Sequence, residues 1–172
     1  NLSNTGTASG LLNYSNNCQA WGHNSDVSSS GLTTGKTYMF GMTLSSNGTS
    51  AKTFVDGIQT KAGTVSWNTP TSTDLYIGRR NDSGTWHYDK TIYEVRIWNR
   101  ALSPAEIAMY KDLDLTGNEP GLVFYWKGRT NPTGTIAIDE SPYGNHGLIT
   151  GATVTKESAM TAKLNIKKGL VM

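Results

Sequence analysis

TIYEVRIWNRALSPAEIAMY, running from Thr91 to Tyr110, is the stretch that decides how the chain is read. Its first half, Thr91–Asn99, is rich in β-branched and aromatic residues (Ile92, Tyr93, Val95, Ile97 and Trp98), as a half-buried strand requires. Asn99 and Arg100 break that pattern. Ser103 then offers a hydroxyl as a helix N-cap, and Pro104 takes the first helical position, where its missing N–H costs nothing. Glu106 stands three residues after the cap, which completes a capping box. The spacing predicts one short helix near residues 104–111, with Ile107 and Tyr110 turned towards a sheet and Leu113 one turn further on.

The string EVRIWNRALSPAEI, residues 94–107, resembles the closing signature of the LamG-like, concanavalin A-like jelly-roll domains, the laminin G-like and pentraxin-like group. Strand, A-L-S turn and capped helix all occur together in it. One position departs from the pattern: the family usually has Gly-x-Ile-Asp-Glu before this strand, whereas Lys90-Thr91-Ile92-Tyr93-Glu94 carries Tyr93 in place of the acidic residue. Upstream, KTYMFGMTL and FVDG resemble the paired central strands of the family and their V-D-G turn. The resemblance implies an all-β fold, an antiparallel two-sheet β-sandwich (jelly roll) with one short helix.

Downstream, GLVFYW and IDESPYGNHGLITGA resemble the opening of the same family, where a Tyr-Trp strand precedes Asp-x-Ser-x-x-Gly-Asn-His-Gly. The closing half thus comes before the opening half, and two arrangements explain this. Residues 1–172 form a single LamG-like sandwich, permuted or truncated, or residues 1–116 close one module and 120–172 open a second. The single sandwich is preferred, because Leu164, Ile166, Leu170 and Val171 in the final stretch must bury somewhere and an orphan half-module would expose them. The chain starts at Asn1 without an initiator Met, so it is read as processed or as part of something longer.

The remaining strands follow from alternation and turn chemistry. Short strands are expected at Gly10–Tyr14 and Cys18–Gly22. Thr37–Leu44 alternates, with Tyr38, Phe40, Met42 and Leu44 on one face. Lys52–Val55 and Ile58–Thr60 flank Asp56-Gly57, the strongest hairpin signal in the chain. Asp74–Arg79 reads as a strand with Leu75 and Ile77 inward, Asn81–Lys90 as a loop, Asp112–Gly121 as a polar connector and Leu122–Trp126 as an apolar strand.

Composition removes several functions. At 172 residues the chain is long enough for a real core. Its net charge is only +2 and no basic run occurs, which argues against nucleic acid as a partner, since phosphate binding needs clustered positive charge. Lys163, Lys167 and Lys168 alternate with apolar residues and read as the solvated side of a strand. No apolar stretch approaches a membrane span, and no signal peptide is recognisable. Cys18 is alone, so it forms no intrachain disulfide and reads as a buried, inert thiol. Abundant Gly, Ser, Thr and Asn suit short strands joined by turns and are typical of secreted or virion-surface β proteins. Four Asn-x-Ser/Thr sequons, at Asn1, Asn13, Asn47 and Asn81, arise easily by chance in such a composition.

Three kinds of chemistry are weighed. Glycosidases on this sandwich carry two or three carboxylates along one strand face, because hydrolysis needs an acid and a base or nucleophile across the glycosidic bond. Glu94 stands alone on its strand beside Ile92 and Arg96, and the adjacent Asp139 and Glu140 would point to opposite faces. His23, His87 and His146 are scattered, and His146 sits in the G-N-H-G turn, where a structural role is the simpler reading. No catalytic residue is assigned and the chain is read as no enzyme, with a glycoside-active enzyme ranked third.

Metal is the second. The resemblance admits Ca²⁺ at a sandwich rim, held by carboxylates, amides and carbonyls. The candidate ligands are Asp82 and Asp89, with Asn81, in one loop, and Asp139 and Asn145, with Ser141, in the other. The competing reading, preferred for both clusters, is that such residues hydrogen-bond their own turns.

Sugar is the third. Exposed aromatics beside amides and carboxylates make a carbohydrate platform, and Asn81-Asp82-Ser83-Gly84-Thr85-Trp86-His87-Tyr88-Asp89 has that mixture. The candidate ligand-binding residues are Trp86, Tyr88, Asn81, Asp82 and Asp89. Trp86 and Tyr88 would serve equally well as rings closing the end of a core. Trp21-Gly22-His23-Asn24 is a smaller version, Trp98 and Trp126 read as core, and Trp67 as either. The reading is an extracellular, cell-surface or virion-surface module that binds a glycan or cell-surface ligand in adhesion, without membrane insertion. It is expected as a homo-oligomer or as part of a larger multidomain chain. The alternative is a structural or receptor-binding domain of a virion, tail fibre or surface assembly.

Overall fold

The computed structural model describes residues 10–14, 16–21, 26–67, 75–79, 87–128, 135–154 and 170–171. In chain order the elements are β1 (Gly10–Tyr14), β2 (Asn17–Trp21), β3 (Asp26–Ser29), β4 (Phe40–Leu44), β5 (Ser50–Val55) and β6 (Ile58–Thr64). They are followed by β7 (Glu94–Trp98), α1 (Pro104–Tyr110), β8 (Leu122–Lys127), β9 (Ile136–Ala137), β10 (Gly147–Leu148) and β11 (Leu170–Val171). Two compact units result, one drawn from Asn1–Lys36, Gly41–Val55 and Gln59–Thr91, the other from Thr37–Phe40, Asp56–Ile58 and Ile92–Met172.

The first unit is built of two layers. Strands β1, β2 and β3 form an antiparallel meander in which Ala20 stands opposite Val27 and Cys18 opposite Ser29. Strands β6, β5 and β4 are neighbours in the second layer, and β2 and β3 face β5. Strand alternation turns Ala20, Val27, Met42, Ala51 and Val65 into a shared core, flanked by Leu11, Leu44 and Trp67. Cys18 is fully buried beside it, where burial pushes its thiol up to about 12 and so keeps it protonated and inert. Between β5 and β6, Asp56 (φ 50°) and Gly57 (φ 81°) both take left-handed backbone, as a two-residue hairpin turn requires.

The second unit gathers around β7. Strand β8 pairs antiparallel with it, from Glu94 opposite Lys127 to Trp98 opposite Leu122, and β11 pairs parallel, Leu170 opposite Val95. Helix α1 has the capping box that its sequence predicts: the Ser103 hydroxyl accepts from the Glu106 N–H, and the Glu106 carboxylate accepts from the Ser103 N–H. Ile107 is buried, and the Tyr110 ring stacks on Trp98 at 5.9 Å. The Asp56-Gly57 turn lies against this helix. A side chain at Gly57 would run into the Lys111 side chain and come within 3.2 Å of the Ala108 Cα.

Three details differ from the sequence-based expectations. Met39, not only the alternating Tyr38, Phe40, Met42 and Leu44 set, is buried, because Asp56 grips its backbone: the Met39 N–H donates to Asp56 Oδ1 and the Asp56 N–H to the Met39 carbonyl, each at 2.9 Å. Residues 75–79 make no regular strand. Leu75 is exposed, and Gly78 (φ 80°) interrupts the extended run. Leu113 is exposed beyond the end of α1, so only Ile107 and Tyr110 of the predicted stripe pack.

Replacing Ser103 by Ala is expected to lower stability by about 1 kcal/mol, the usual effect of losing an N-cap side chain. Denaturant unfolding with an unchanged midpoint would contradict the capping role. A pH effect follows from the same box. Arg100 first, then the Ser103 N–H and hydroxyl, holds the Glu106 carboxyl down at about 2 against an ordinary 4.5. A carboxylate depressed in the fold contributes stability above its unfolded pKa, and that contribution is lost as pH falls through the folded value. Stability contributed by the capped helix should therefore fade between about pH 4.5 and about pH 2, and Glu106→Gln should remove that part of the acid response. Matching acid-unfolding profiles for the two proteins would count against it.

Candidate functional site

Of the predicted platform, Tyr88 and Asp89 are among the described residues; Asn81, Asp82 and Trp86 lie outside them. The stems of that loop are in contact: Arg79 forms a bridge with His87, and the Tyr88 N–H donates to the Gly78 carbonyl at 2.7 Å. Tyr88 is 38% exposed, and partial burial, helped by the neighbouring Asp89 charge, raises its phenol pKa. Asp89 is exposed and ion-paired with Lys90 at 2.6 Å, which lowers its pKa. On the opposite stem the Arg79 guanidinium lies 4.6 Å from the centre of the Tyr76 ring, so the loop base carries two partly exposed aromatics and a cation.

The second predicted cluster is a closed turn. Asp139 is buried, and its carboxylate accepts from the Tyr125, Ser141 and Asn145 N–H groups and from the Ser141 hydroxyl, at 2.7–2.9 Å. Burial opposes the charge, but these donors outweigh it and hold the Asp139 pKa below the ordinary carboxylate value. The Asn145 amide donates to the Val123 carbonyl, and His146 Nδ1 accepts from the Asp139 N–H at 3.0 Å. Four donors aimed at one carboxylate make an Asx-type turn clamped onto β8, and such a donor set does not suit a cation. Among the described residues no three His, Cys, Asp or Glu side chains gather as metal ligands.

Among the described residues, Glu94, Asp114 and Glu140 of the second unit are likewise committed. Glu94 pairs with Arg96 on the same face of β7. Asp114 and Glu140 hold Lys127 at 3.1 and 2.9 Å, and the Lys127 ammonium sits 4.6 Å from the Tyr125 ring centre. Burial disfavours that ammonium, but the two carboxylates outweigh it and raise its pKa. Burial likewise pushes the Tyr125 phenol up to about 12. Strand β7 therefore presents one neutralised carboxylate and no second one.

Sequence reasoning also missed a groove of about 270 Å³ between the Gly117–Leu122 turn and Pro142–Tyr143. Tyr143 occupies an unmarked position of the Asp139–Gly147 motif and Asn118 a connector, so nothing in the spacing singled them out.

A family model described as the concanavalin A-like lectin/glucanases superfamily (Laminin_G_3) matches residues 3–108. The chain belongs to this family. Its mostly antiparallel sheets and, among the described residues, single short helix are those of an all-β jelly-roll sandwich, a lectin-like ligand-binding module in the broad sense. The match ends inside α1, so β8 and the Asp139 turn lie beyond it although β8 pairs with β7. No curated protein and no solved structure matches the chain. No helix among the described residues is long and apolar enough to cross a membrane.

Proposed function

We propose that this module is a non-enzymatic carbohydrate-binding domain that acts in adhesion outside the cell, with the 81–89 loop as its platform. One observation carries the reading. In a family of lectins and glucanases, the described carboxylates Glu94, Asp139 and Glu140 are engaged by structural partners, while Tyr88 stays partly exposed at the base of the loop. Glycoside hydrolysis needs two free carboxyl groups at a set separation, whereas capture of a sugar needs an aromatic face beside polar groups. Residues 120–172 are read as part of the same module, because β8 brings the Tyr-Trp strand directly onto β7.

A second reading has its own support. On the β9–β10 ribbon, Ile136 and Leu148 stand opposite each other and Ile138 follows on the same face, exposed by 50%, 78% and 44%. An apolar face of that kind suits subunit contact in a surface assembly. Sedimentation across a concentration series separates the readings, since an assembly subunit associates and a solitary lectin domain does not.

A glycan array screened with Ca²⁺ and with chelator tests the main reading. Trp86→Ala and Tyr88→Ala are expected to abolish the binding found while shifting the melting temperature little. If both variants unfold readily and binding is lost only with the fold, the rings are packing residues and the platform is elsewhere.

A further inference from the structure

We propose that the groove formed by the Gly117–Leu122 turn and the Pro142–Tyr143 corner is a binding subsite for one neutral pyranose ring of a glycan. The proposal rests on the carbohydrate reading above and gives it a second, independently located contact. The groove is lined by Asn118, Glu119, Pro120, Leu122, Pro142 and Tyr143, and its volume is about 270 Å³. Pockets for drug-sized ligands run from about 300 to 1,000 Å³, so this one suits a single small ring rather than a peptide or an oligomer.

Its chemistry is that of sugar recognition. Tyr143 is 60% exposed, and Pro120 and Pro142 are exposed beside it. An exposed tyrosine flanked by two prolines offers apolar surface of the kind that packs on the C–H face of a pyranose. The Asn118 side chain supplies an amide donor and acceptor, the pair that neighbouring hydroxyls need. The one ionisable side chain of the lining other than Tyr143, Glu119, is turned to a structural task, and no cation lines the groove to select an anionic ligand. The Glu119 carboxylate is occupied by its own turn: Oε1 accepts from the Thr116 N–H (2.8 Å) and hydroxyl (3.1 Å), and Oε2 from the Gly117 N–H (3.1 Å).

Both walls are braced before any ligand arrives. On one side the Arg100 guanidinium donates to the Pro120 carbonyl at 2.9 Å, and the Asn99 N–H to the Gly121 carbonyl at 2.9 Å. Gly117 packs so closely on the Glu140 carbonyl that no side chain fits there. On the other side the Asp139 clamp fixes Ser141 and Asn145 on either side of Pro142 and Tyr143. Preorganised walls lower the ordering penalty of binding, which matters most for a weak ligand the size of one sugar.

The test uses the full chain and methyl glycosides of glucose, galactose, mannose and N-acetylglucosamine as probes. Tyrosine ring and asparagine amide resonances are followed by NMR through millimolar titrations, with a proline-rich peptide as a control ligand. The expected result is a saturable shift of the Tyr143 and Asn118 signals with at least one glycoside. Tyr143→Ala should weaken that binding about tenfold, and Tyr143→Phe should retain it, since stacking needs the ring and not the hydroxyl. Unchanged melting temperatures are expected for both variants, because the side chain is exposed. Shifts confined to the 81–89 loop would overturn the groove and leave the carbohydrate reading standing. No shift anywhere with any glycoside would overturn both. Response to the peptide alone would overturn the assignment of a sugar ligand.

Discussion

The second unit depends on one buried cation. Arg96 on β7 is 2% exposed, and every face of its guanidinium is used. Nε binds Glu94, Nη1 donates to the Tyr110 carbonyl at 2.6 Å, Nη2 donates to the Leu113 carbonyl at 2.7 Å, and the group lies 5.5 Å from the Tyr125 ring centre. A helix leaves its last four carbonyls without partners, and α1 ends on a non-glycine residue with no basic side chain in its last turn. Arg96 supplies a donor from the sheet to one of them, the Tyr110 carbonyl, and a second to the Leu113 carbonyl just beyond the helix. It thereby joins β7, the end of α1 and β8 through one planar group, which a lysine could not do.

The family signature gains a physical meaning from this arrangement. The strand and the helix of EVRIWNRALSPAEI are bound at both ends. Ser103 and Glu106 close the N-terminus, Arg100 adds a link from Glu106 back to the Pro120 carbonyl, and Arg96 closes the C-terminus. The Asp56-Gly57 turn then lies on the helix, where Gly57 is required by space as well as by backbone conformation. Capturing a ligand in such a sandwich is left to loops and turns. The acidic residues that might have served chemistry are holding Arg96, Lys127 and the β8 turn together.

What could be read from sequence was what local spacing encodes. The capping box, the Asp56-Gly57 hairpin and the apolar strand at residue 122 are legible because their interactions span a few residues. The anchoring role of Arg96 was not legible, because its carbonyl partners lie 14 and 17 residues away. Met39 was missed for the same reason: its register is set by Asp56, 17 residues on. The 75–79 segment shows the converse error, since its β-branched and aromatic residues suggest a strand that Gly78 interrupts. At the candidate sites, Tyr88 was legible as an aromatic in a polar loop. Tyr143 was not, because only the fold brings it beside Asn118.

Removing one partner of a buried, hydrogen-bonded ion pair destabilises by about 3–5 kcal/mol, well beyond the loss of any single cap. Amide hydrogen exchange along Ile107–Lys111 in Arg96→Met, compared with the parent chain, tests the account most directly. The helix amides are expected to lose protection together with those of β7, alongside a drop in global stability of that size. Helix protection and an unfolding midpoint unchanged from the parent would show that α1 and β7 stand without Arg96, and the account would be wrong.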